Sequence, residues 1–317
     1  MIPDDPNIRS KPGYTEDYYR IMENLGGILS KILANSKICA VDSGLMDSGF
    51  TNVTLWVKDT RGKKYFVKIG VEDNLIAEIF WYKKAHSRGL AAPKIIMLDY
   101  SKKVVPYIYQ VREFVDGIHA NNKVSLKLQH NGAYLAGQEL RKIHSISVKG
   151  FGTINSEGKW TKANWSSTLK EFLDPYAQDK CATKIFTQQE IDKVYEHTIY
   201  NKELEIKKPW LIHGDIQDDH FVYNPEQNKI TFIDPGSMIG GDPMFDLACS
   251  SMPWSRKVFF KGLREGYELS KPLTDYEQYR FKKLQLAYFL FASIELYRKQ
   301  FDYPPFVRLT KELILKA

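Results

Sequence analysis

The residues best suited to chemistry lie in one stretch, residues 211–248, which reads LIHGDIQDDHFVYNPEQNKITFIDPGSMIGGDPMFDLA. An apolar segment leads into an HGD triplet that ends at Asp215, and a second apolar segment, TFI, leads to Asp234. A turn at Asn224-Pro225 predicts a hairpin between them, which can bring both carboxylates to one mouth. One carboxylate can then position a hydroxyl group and take its proton, while the other holds Mg²⁺ beside phosphates. The spacing therefore indicates phosphoryl transfer.

The assignment of these two aspartates rests on the joint pattern rather than on either residue alone. A single Asp in a loop is most often a turn residue or a helix cap. The combination HGD…ID…GDPxxDLA is much more specific. We therefore predict that Asp215 receives the proton of the acceptor hydroxyl and that Asp234 ligates Mg²⁺.

A second group of candidate residues lies earlier in the chain, where YFVKIG places Lys68 inside an apolar strand. A buried ammonium group is costly unless it is paired. Glu78 follows ten residues later on a predicted helix. The alternative is two unrelated surface charges, but the apolar neighbours of Lys68 favour a pair. We predict an ion pair that grips the α- and β-phosphates of a nucleotide.

The elements that must position these residues fall into two regions. The first is rich in strands: helices are predicted at 17–34 and 74–88, and strands at 38–41, 53–58, 65–69, 94–100 and 107–114. Beyond a break at Asp116-Gly117, strands are predicted only at 221–223 and 230–233, and helices at 166–179, 188–204, 244–250, 255–270, 275–300 and 305–316. Ala133, Ala136, Leu140 and Ile143 fall on one face of a further predicted helix. We predict an α+β, bilobal enzyme: a small nucleotide-binding lobe with a leading helix over 1–115, and a larger catalytic and acceptor-binding lobe over 116–317. Its site would lie in the cleft between the lobes.

The catalytic stretch resembles the aminoglycoside phosphotransferase family, whose members are relatives of protein kinases and choline kinases. The likeness runs over residues 39–275 and rests on HGDxxxx(N/H), hhID and GDPxxDLA. It implies a protein-kinase-like fold with the nucleotide between the lobes, ATP or GTP as co-substrate, and Mg²⁺ as the metal, with Mn²⁺ as an alternative. It also implies that Asp215 is the catalytic base and that Asp234 is the Mg²⁺ ligand.

Other positions in this stretch look structural. By the same likeness, His213 and Gly214 shape the catalytic loop. Asp242 and Asp246 would cap local helix ends and hold the loop. His144 ends a helix that resembles one of the family's large-lobe helices, and we expect it to be a packed core residue.

One position departs from the family pattern. Most members carry Asn at the second metal position, where this chain has His220. An Asn offers an amide oxygen, which suits Mg²⁺, whereas an imidazole nitrogen suits Mn²⁺ or Zn²⁺ better. His220, together with Asp234, is a candidate metal ligand. Two other interpretations stay open: His220 hydrogen-bonds Asp215, or it neither binds a metal nor makes that hydrogen bond.

The resemblance also assigns phosphate contacts in the first region. VDSGLMDSGFTNVTLWV at 41–57 is similar to the family's glycine-containing loop of the form GxxN. Ser48, Gly49 and Asn52 are therefore expected to approach the phosphates, because backbone amides in such a turn can bind anions. The absence of a full GxGxxG argues against an ordinary protein kinase.

Adenine contacts are implied further along. PYIYQVREFVDG looks like the family's last small-lobe strand and hinge. By that likeness, Glu113 supplies a carbonyl oxygen and Val115 an amide, with Phe114 between them. These are main-chain contacts, so the prediction depends on position rather than on side-chain type.

The acceptor is the part of the function that spacing does not decode. We expect its site around Trp165 and Trp254, with Glu171, Asp174 and Asp179 as candidate acids for a cationic substrate. The net charge of +7 argues weakly against a strongly cationic acceptor. An antibiotic, either an aminoglycoside or a macrolide, is the first hypothesis. A metabolic sugar, amino alcohol or nucleoside is the alternative.

Two further classes of protein are disfavoured. A protein kinase needs a peptide-binding activation segment, yet only seven residues separate Asp234 from Asp242. A pseudokinase or another non-catalytic binding module would be expected to lack Lys68, Asp215 or Asp234, and all three are present.

Composition and charge argue against other partners. Basic residues are spread rather than clustered, which argues against nucleic-acid binding despite 45 Lys and Arg against 38 Asp and Glu. The most apolar stretch, residues 284–296, is too short to span a bilayer and predicts a buried core helix. The first residues are polar and do not resemble a signal region. We therefore expect a cytoplasmic protein with no membrane partner.

Overall fold

The computed structural model describes residues 15–46, 52–70, 74–121, 123–252 and 257–316. The chain divides into two compact units, Met1–Asp116 and Gly117–Ala317. A five-stranded sheet organises the described part of the first unit, and helices dominate that of the second. The predicted α+β fold class is therefore confirmed.

An antiparallel sheet of five strands organises the first unit. The strands are β1 (Ala40–Leu45), β2 (Val53–Asp59), β3 (Lys64–Gly70), β4 (Ile95–Asp99) and β5 (Ile108–Glu113). Their order is β1-β2-β3-β5-β4, so β3 is paired along both edges. Gly62 turns the chain between β2 and β3 with φ +80°, a left-handed conformation that glycine adopts readily. The central place of β3 buries most of its side chains, including that of Lys68.

Three helices accompany the sheet: α1 (Glu16–Glu23), α2 (Leu25–Asn35) and α3 (Asn74–His86). The prediction of one helix over 17–34 is wrong, because the backbone leaves the helical conformation at Asn24 (φ −129°, ψ 27°). Gly27 makes room for this break, since a Cβ there would lie 2.8 Å from Asn24 Oδ1. Apolar side chains of both helices, among them Ile21 and Ile32, join the core of the sheet.

Helices form most of the second unit. They are α4 (Leu126–Ile143), α5 (Trp165–Ala177), α6 (Ala182–Ile185), α7 (Gln188–His197), α8 (Pro243–Ser250), α9 (Lys257–Glu268), α10 (Asp275–Arg298) and α11 (Pro304–Lys316). α4 and α9 approach closely, since a Cβ on Gly137 would fall 2.0 Å from the carbonyl oxygen of Leu263. The predicted helix over 188–204 is too long. The backbone leaves helical geometry at Thr198 (φ −122°, ψ −77°), and a 3₁₀ turn covers Lys202–Leu204.

Short strands lie between these helices: β6 (Phe151–Ile154), β7 (Trp160–Lys162), β8 (Trp210–Leu211), β9 (Phe221–Asn224), β10 (Lys229–Phe232) and β11 (Gly240–Gly241). The antiparallel hairpin of β9 and β10 confirms the predicted strands at 221–223 and 230–233 to within one residue. The sequence does not predict the four-stranded sheet β7-β6-β11-β8. Strands this short carry no readable alternation of apolar and polar residues.

The 24-residue helix α10 contains the most apolar stretch of the chain. Its side chains at Leu284, Leu286 and Leu290 are buried, which confirms the predicted core helix. None of the helices within the described ranges combines the length and the hydropathy needed to cross a membrane.

Candidate active site

The loop after β8 carries the predicted catalytic base, Asp215. Ile212 and His213 are fully buried and anchor the start of this loop. Gly214 follows with φ +78°, and a Cβ there would lie 2.1 Å from the carbonyl oxygen of Met238. Only glycine fits such a position. The backbone of this loop therefore requires glycine at position 214, and the next residue, Asp215, lies on the wall of a cavity.

A buried carboxylate holds this loop in place. Asp246 on α8 accepts hydrogen bonds from the backbone N–H groups of His213 (2.6 Å) and Gly214 (2.7 Å). Its Oδ2 also lies 2.9 Å from His144 Nε2, and His144 Nδ1 lies 2.9 Å from the hydroxyl of Tyr267. The structural role predicted for Asp246 and the packed environment predicted for His144 are confirmed.

Asp242 caps the start of α8, as predicted. Its Oδ1 accepts a hydrogen bond from the backbone N–H of Met244 at 3.0 Å, and its Oδ2 accepts one from the Nε–H of Arg280 at 2.9 Å. Burial raises the pKa of Asp242 above its usual range, although the Arg280 guanidinium opposes the shift. The carboxylate of Asp242 therefore has a structural role at the start of α8.

The β9–β10 hairpin places the second predicted carboxylate, Asp234, next to the first loop. The Gly236 N–H donates to the carbonyl oxygen of His213 (2.8 Å), and His213 Nε2 lies 3.0 Å from the carbonyl oxygen of Ile233. The Ile233 N–H in turn donates to the carbonyl oxygen of His220 (3.0 Å). Asp234 has φ +56°, which is uncommon for a residue other than glycine. The two loops that carry the carboxylates are thus in direct hydrogen-bond contact.

Three side chains that sequence reasoning missed surround Asp215. Gln217 Nε2 donates to Asp215 Oδ1 at 2.7 Å. The hydroxyl of Tyr288 on α10 lies 3.3 Å from the same oxygen, and Sγ of Cys249 on α8 lies 3.7 Å from it. Gln217 is part of the motif itself and could have been found there. Tyr288 is 73 positions away and gives no local signal.

The two histidines beside Asp215 have opposite electrostatic environments. Burial lowers the pKa of His213 to about 4. Burial also acts to lower the pKa of His220, but the carboxylates of Asp215, Asp219 and Asp234 outweigh it and raise that pKa to about 9. His220 Nδ1 lies 2.6 Å from the carbonyl oxygen of Asp215 and 3.4 Å from its Oδ2. A carbonyl oxygen only accepts, so Nδ1 carries a proton. With the pKa raised to about 9, Nε2 is protonated as well near neutral pH, and it must lose that proton before it can bind a metal.

Asp234 offers the oxygen ligand that Mg²⁺ prefers. Within the described ranges, no three His, Cys, Asp or Glu side chains are grouped so as to enclose a metal ion by themselves. In phosphoryl transfer Mg²⁺ keeps several waters and takes further ligands from the substrate phosphates, so a single carboxylate is a suitable protein ligand for it. Asp234 therefore fits such an ion better than His220, whose ring must first lose a proton.

In the first unit the predicted ion pair forms. Lys68 Nζ on β3 lies 2.8 Å from Glu78 Oε2 on α3, and the two side chains are only 9% and 3% exposed. Gln110 stands opposite Lys68 on β5 and donates from Nε2 to Glu78 Oε1 at 2.8 Å. Both oxygens of this carboxylate are thus engaged. Sequence reasoning missed Gln110, because only the strand register brings it to Glu78.

The residues predicted to approach the phosphates are placed only in part. Ser48 and Gly49 lie outside the described residues. Asn52 stands immediately before β2, and a Cβ on Gly70 would lie only 1.8 Å from its Oδ1. Its amide therefore lies against the end of β3, the strand that carries Lys68.

The predicted adenine contacts lie at the end of β5. Glu113 is the last residue of that strand, and its Oε1 accepts the backbone N–H of Lys94 at 3.0 Å. Phe114 and Val115 follow, and both are half-buried. Lys64 Nζ lies 5.2 Å from the ring centre of Phe114. The main chain of these three residues is where we expect the adenine contact.

A cavity of about 350 Å³ opens beside Asp215 within the second unit. Gly214 and Ser237, from the two joined loops, are part of its wall. The sequence predicts the acceptor site around Trp165, and the helix that begins there, α5, does line this cavity. The Trp165 side chain itself is fully buried, packs edge-on against Phe245 and is not part of the wall. The large apolar surface of a tryptophan side chain stabilises the folded protein most when it is buried. Trp254 lies outside the described residues.

Similarity to known proteins agrees with this geometry. A family model described as "Phosphotransferase enzyme family" (APH) matches residues 45–281. No curated protein matches the chain significantly.

Three solved structures illustrate the likeness in fold. A proposed fructosamine-3-kinase from Thermobifida fusca is 17% identical, with a TM-score of 0.68 over 91% of this chain and 98% of that one. The aminoglycoside phosphotransferase APH(4)-Ia, in a ternary complex with ADP and hygromycin B, is 13% identical, with a TM-score of 0.71 over 91% and 98%. Spectinomycin phosphotransferase APH(9)-Ia is 14% identical, with a TM-score of 0.61 over 90% and 95%.

These identities are low, so the structures show the fold alone, which is protein-kinase-like. The family model covers most of the chain and includes residues of both units. The chain therefore belongs to this phosphotransferase family and is an enzyme that phosphorylates an alcohol group.

Proposed function

We propose that this chain transfers the γ-phosphate of ATP or GTP to a hydroxyl group of a small molecule. One observation carries the proposal: hydrogen bonds join the loop of Asp215 to the loop of Asp234, and a ligand-sized cavity opens beside Asp215. Solved structures similar to this chain contain ADP or AMP-PNP, which supports a nucleotide as co-substrate.

In the proposed mechanism, Asp215 orients the acceptor hydroxyl and takes its proton as the oxygen attacks the γ-phosphorus. The bond from the γ-phosphorus to the β,γ-bridging oxygen breaks in the same transfer, and ADP or GDP leaves. Gln217 and Tyr288 both donate to Oδ1, which limits rotation of the carboxylate. Oδ2 is therefore the atom better placed to receive the proton. His220 Nδ1, 3.4 Å from Oδ2, offsets negative charge beside the base.

Charge on the nucleotide would be offset by one residue and one ion. Lys68 would bind the α- and β-phosphates, and Glu78 and Gln110 keep its ammonium group in place. Asp234 would hold Mg²⁺, and His220, the second candidate ligand, would bind it through Nε2 only after losing a proton. When bound, the ion neutralises charge on the phosphates. Candidate contacts for the rest of the nucleotide are Ser48, Gly49, Asn52, Glu113, Phe114 and Val115.

Two acceptor classes are proposed. Phosphorylation of an antibiotic, an aminoglycoside or a macrolide, is supported by the likeness to aminoglycoside and spectinomycin phosphotransferases. Phosphorylation of a metabolic sugar, amino alcohol or nucleoside is supported by the likeness to proposed fructosamine-3-kinases. The transfer chemistry is the same for both classes of acceptor. They differ only in the molecule that the acceptor cavity must bind.

Nucleotide consumption by the purified protein tests the proposal. A panel of aminoglycosides, macrolides, sugars, amino alcohols and nucleosides is offered with ATP or GTP and with Mg²⁺ or Mn²⁺. We expect acceptor-dependent turnover that falls by about 10²-fold or more in Asp215→Ala, while that variant still binds nucleotide. Asp192→Ala, which removes an exposed carboxylate on α7, is the matched control and should keep full turnover.

The opposite pattern would refute the assignment. Loss of nucleotide binding in Asp215→Ala with normal turnover at saturating nucleotide would show that Asp215 is not the base. Absence of both nucleotide binding and turnover in the unmodified protein would indicate a non-catalytic binding module.

A further inference from the structure

Among the residues that the structure describes, four aromatic side chains line the cavity beside Asp215, and we call them the aromatic wall: Phe172 and Tyr176 on α5, and Tyr288 and Phe291 on α10. Phe291 is at its centre. Its ring centre lies 4.5 Å from that of Tyr176, 4.8 Å from that of Phe172 and 5.2 Å from that of Tyr288. The two aromatic residues on each helix are three or four positions apart, so they lie on the same face of that helix. The wall is therefore a continuous ring surface built on two helices.

The candidate acids offer little negative charge to an acceptor. Glu171 lines the cavity, but it forms an ion pair with Lys162 at 2.7 Å. Asp174 and Asp179 do not line it, and Asp174 pairs with Lys170 at 2.7 Å. Among the described lining residues, the one further carboxylate is the catalytic Asp215.

This charge pattern does not suit a polycation. Each ammonium group moved into a cavity needs an anionic partner to offset its desolvation. Hydroxyl groups on Thr153 and Ser237 can instead bond to neutral polar groups. The volume of about 350 Å³ lies at the small end of the range for ligand sites, which is roughly 300–1,000 Å³.

We infer that the acceptor is a compact, uncharged alcohol that packs a ring face on the aromatic wall while one hydroxyl reaches Asp215. The inference rests on the proposed function, because it names the acceptor of that same reaction. It favours neutral ring compounds over polycationic aminoglycosides.

Four glycosides separate the effect of a ring from the effect of charge. They are methyl and phenyl β-D-glucopyranoside, and the same two compounds with an amine in place of the 2-hydroxyl. Binding is measured by saturation-transfer NMR, so that it does not depend on turnover, and ATP consumption is measured in parallel. Phe291→Leu removes the central ring of the wall. Phe260→Leu is the matched control, since Phe260 stacks on Phe281 and does not line the cavity.

The phenyl glucoside should bind most tightly, and both neutral glycosides should bind at least as well as their amino counterparts. Phe291→Leu should raise the Kd of the phenyl glucoside by roughly threefold to tenfold, because it removes an aromatic contact. Phe260→Leu should leave that Kd unchanged. Added salt should have little effect, since screening acts on charged ligands.

Tighter binding of the amino glycosides, weakened by salt and unaffected by Phe291→Leu, would overturn the inference and leave the kinase function standing. Failure of all four glycosides to bind would overturn it as well. Binding of ATP and of GTP is followed separately by calorimetry. The absence of both would overturn the proposed function and, with it, the inference.

Discussion

Asp215 shows how a single residue acquires its role from distant parts of the chain. Its Oδ1 receives a hydrogen bond from Gln217 in its own loop and contacts with Cys249 on α8 and Tyr288 on α10. A base must meet the hydroxyl in a productive orientation, and small misplacements are costly. Under the proposed mechanism, we expect these neighbours to act by positioning the carboxylate.

Tyr288→Phe tests this positioning role. The change removes the hydroxyl 3.3 Å from Asp215 Oδ1 and keeps the ring in the aromatic wall. We expect kcat to fall by about threefold to tenfold, as for a single hydrogen bond to a charged group at long distance. The KM values for nucleotide and acceptor should stay within a factor of about two, because the ring is retained.

Tyr195→Phe is the matched control for that experiment, since its hydroxyl donates to Asp174 at 2.8 Å outside the cavity. It should leave kcat unchanged. An equal loss of kcat in both variants, or a rise in acceptor KM alone for Tyr288→Phe, would assign Tyr288 a purely structural or binding role.

Close contact between helices in the second unit requires glycine at certain positions. α4 meets α9 at Gly137, where a Cβ would lie 2.0 Å from the carbonyl oxygen of Leu263 and 2.6 Å from the backbone nitrogen of Tyr267. These are backbone atoms, which cannot move aside as a flexible side chain could. The helices would have to separate.

Gly137→Ala should lower the free energy of unfolding by about 1–3 kcal/mol, the usual cost of overpacking a tight contact. Gly26→Ala is the matched control, because Gly26 lies in α2 and a Cβ there meets nothing within 4 Å. That change should raise stability by about 0.5–1 kcal/mol, since alanine loses less conformational freedom in a helix. Urea denaturation followed by circular dichroism measures both, and a neutral Gly137→Ala would contradict the close contact between α4 and α9.

At the scale of the whole molecule, we expect two capping boxes in the described part of the chain to contribute to resistance to acid. Thr187 with Glu190 begins α7, and Thr274 with Glu277 begins α10. Burial alone would raise the pKa of each glutamate, but the backbone N–H of the capping threonine and nearby cations lower it below the ordinary value of 4.5. A lowered pKa in the folded state stabilises the protein above pH 4.5. That contribution disappears as the pH falls through the folded-state pKa.

The double variant Glu190→Gln, Glu277→Gln should be less stable than the unmodified protein at pH 7, by about 0.3–1 kcal/mol for each glutamate. Glutamine can still bond to the cap but carries no charge at the helix N-terminus. The difference should shrink as the pH falls below 4.5. Denaturation curves between pH 3 and pH 7 measure it, with the exposed Glu226→Gln in the β9–β10 turn as control. A difference that does not change with pH would contradict the electrostatic explanation.

The catalytic segment and the α+β character could be predicted from the sequence, because both depend on local rules. Gly214 is required by its own backbone conformation, and the β9–β10 hairpin follows from apolar runs around a turn. A lysine inside an apolar strand needs a partner, so Lys68 and Glu78 could also be paired in advance. The secondary-structure predictions failed where local signals were weak, which was at the helix break at Asn24, at the end of α7 and in the very short strands.

Only the tertiary structure decided what surrounds these groups. The strand register brings Gln110 to Glu78, and helix packing brings Tyr288 to Asp215 across 73 positions. The same packing buries Trp165, which the sequence had suggested for the acceptor site, and assembles the aromatic wall in its place. The sequence by itself determined the reaction, because the reacting groups lie in compact motifs. The surroundings of the acceptor depend on contacts between residues far apart in the chain, and such contacts exist only in the folded protein.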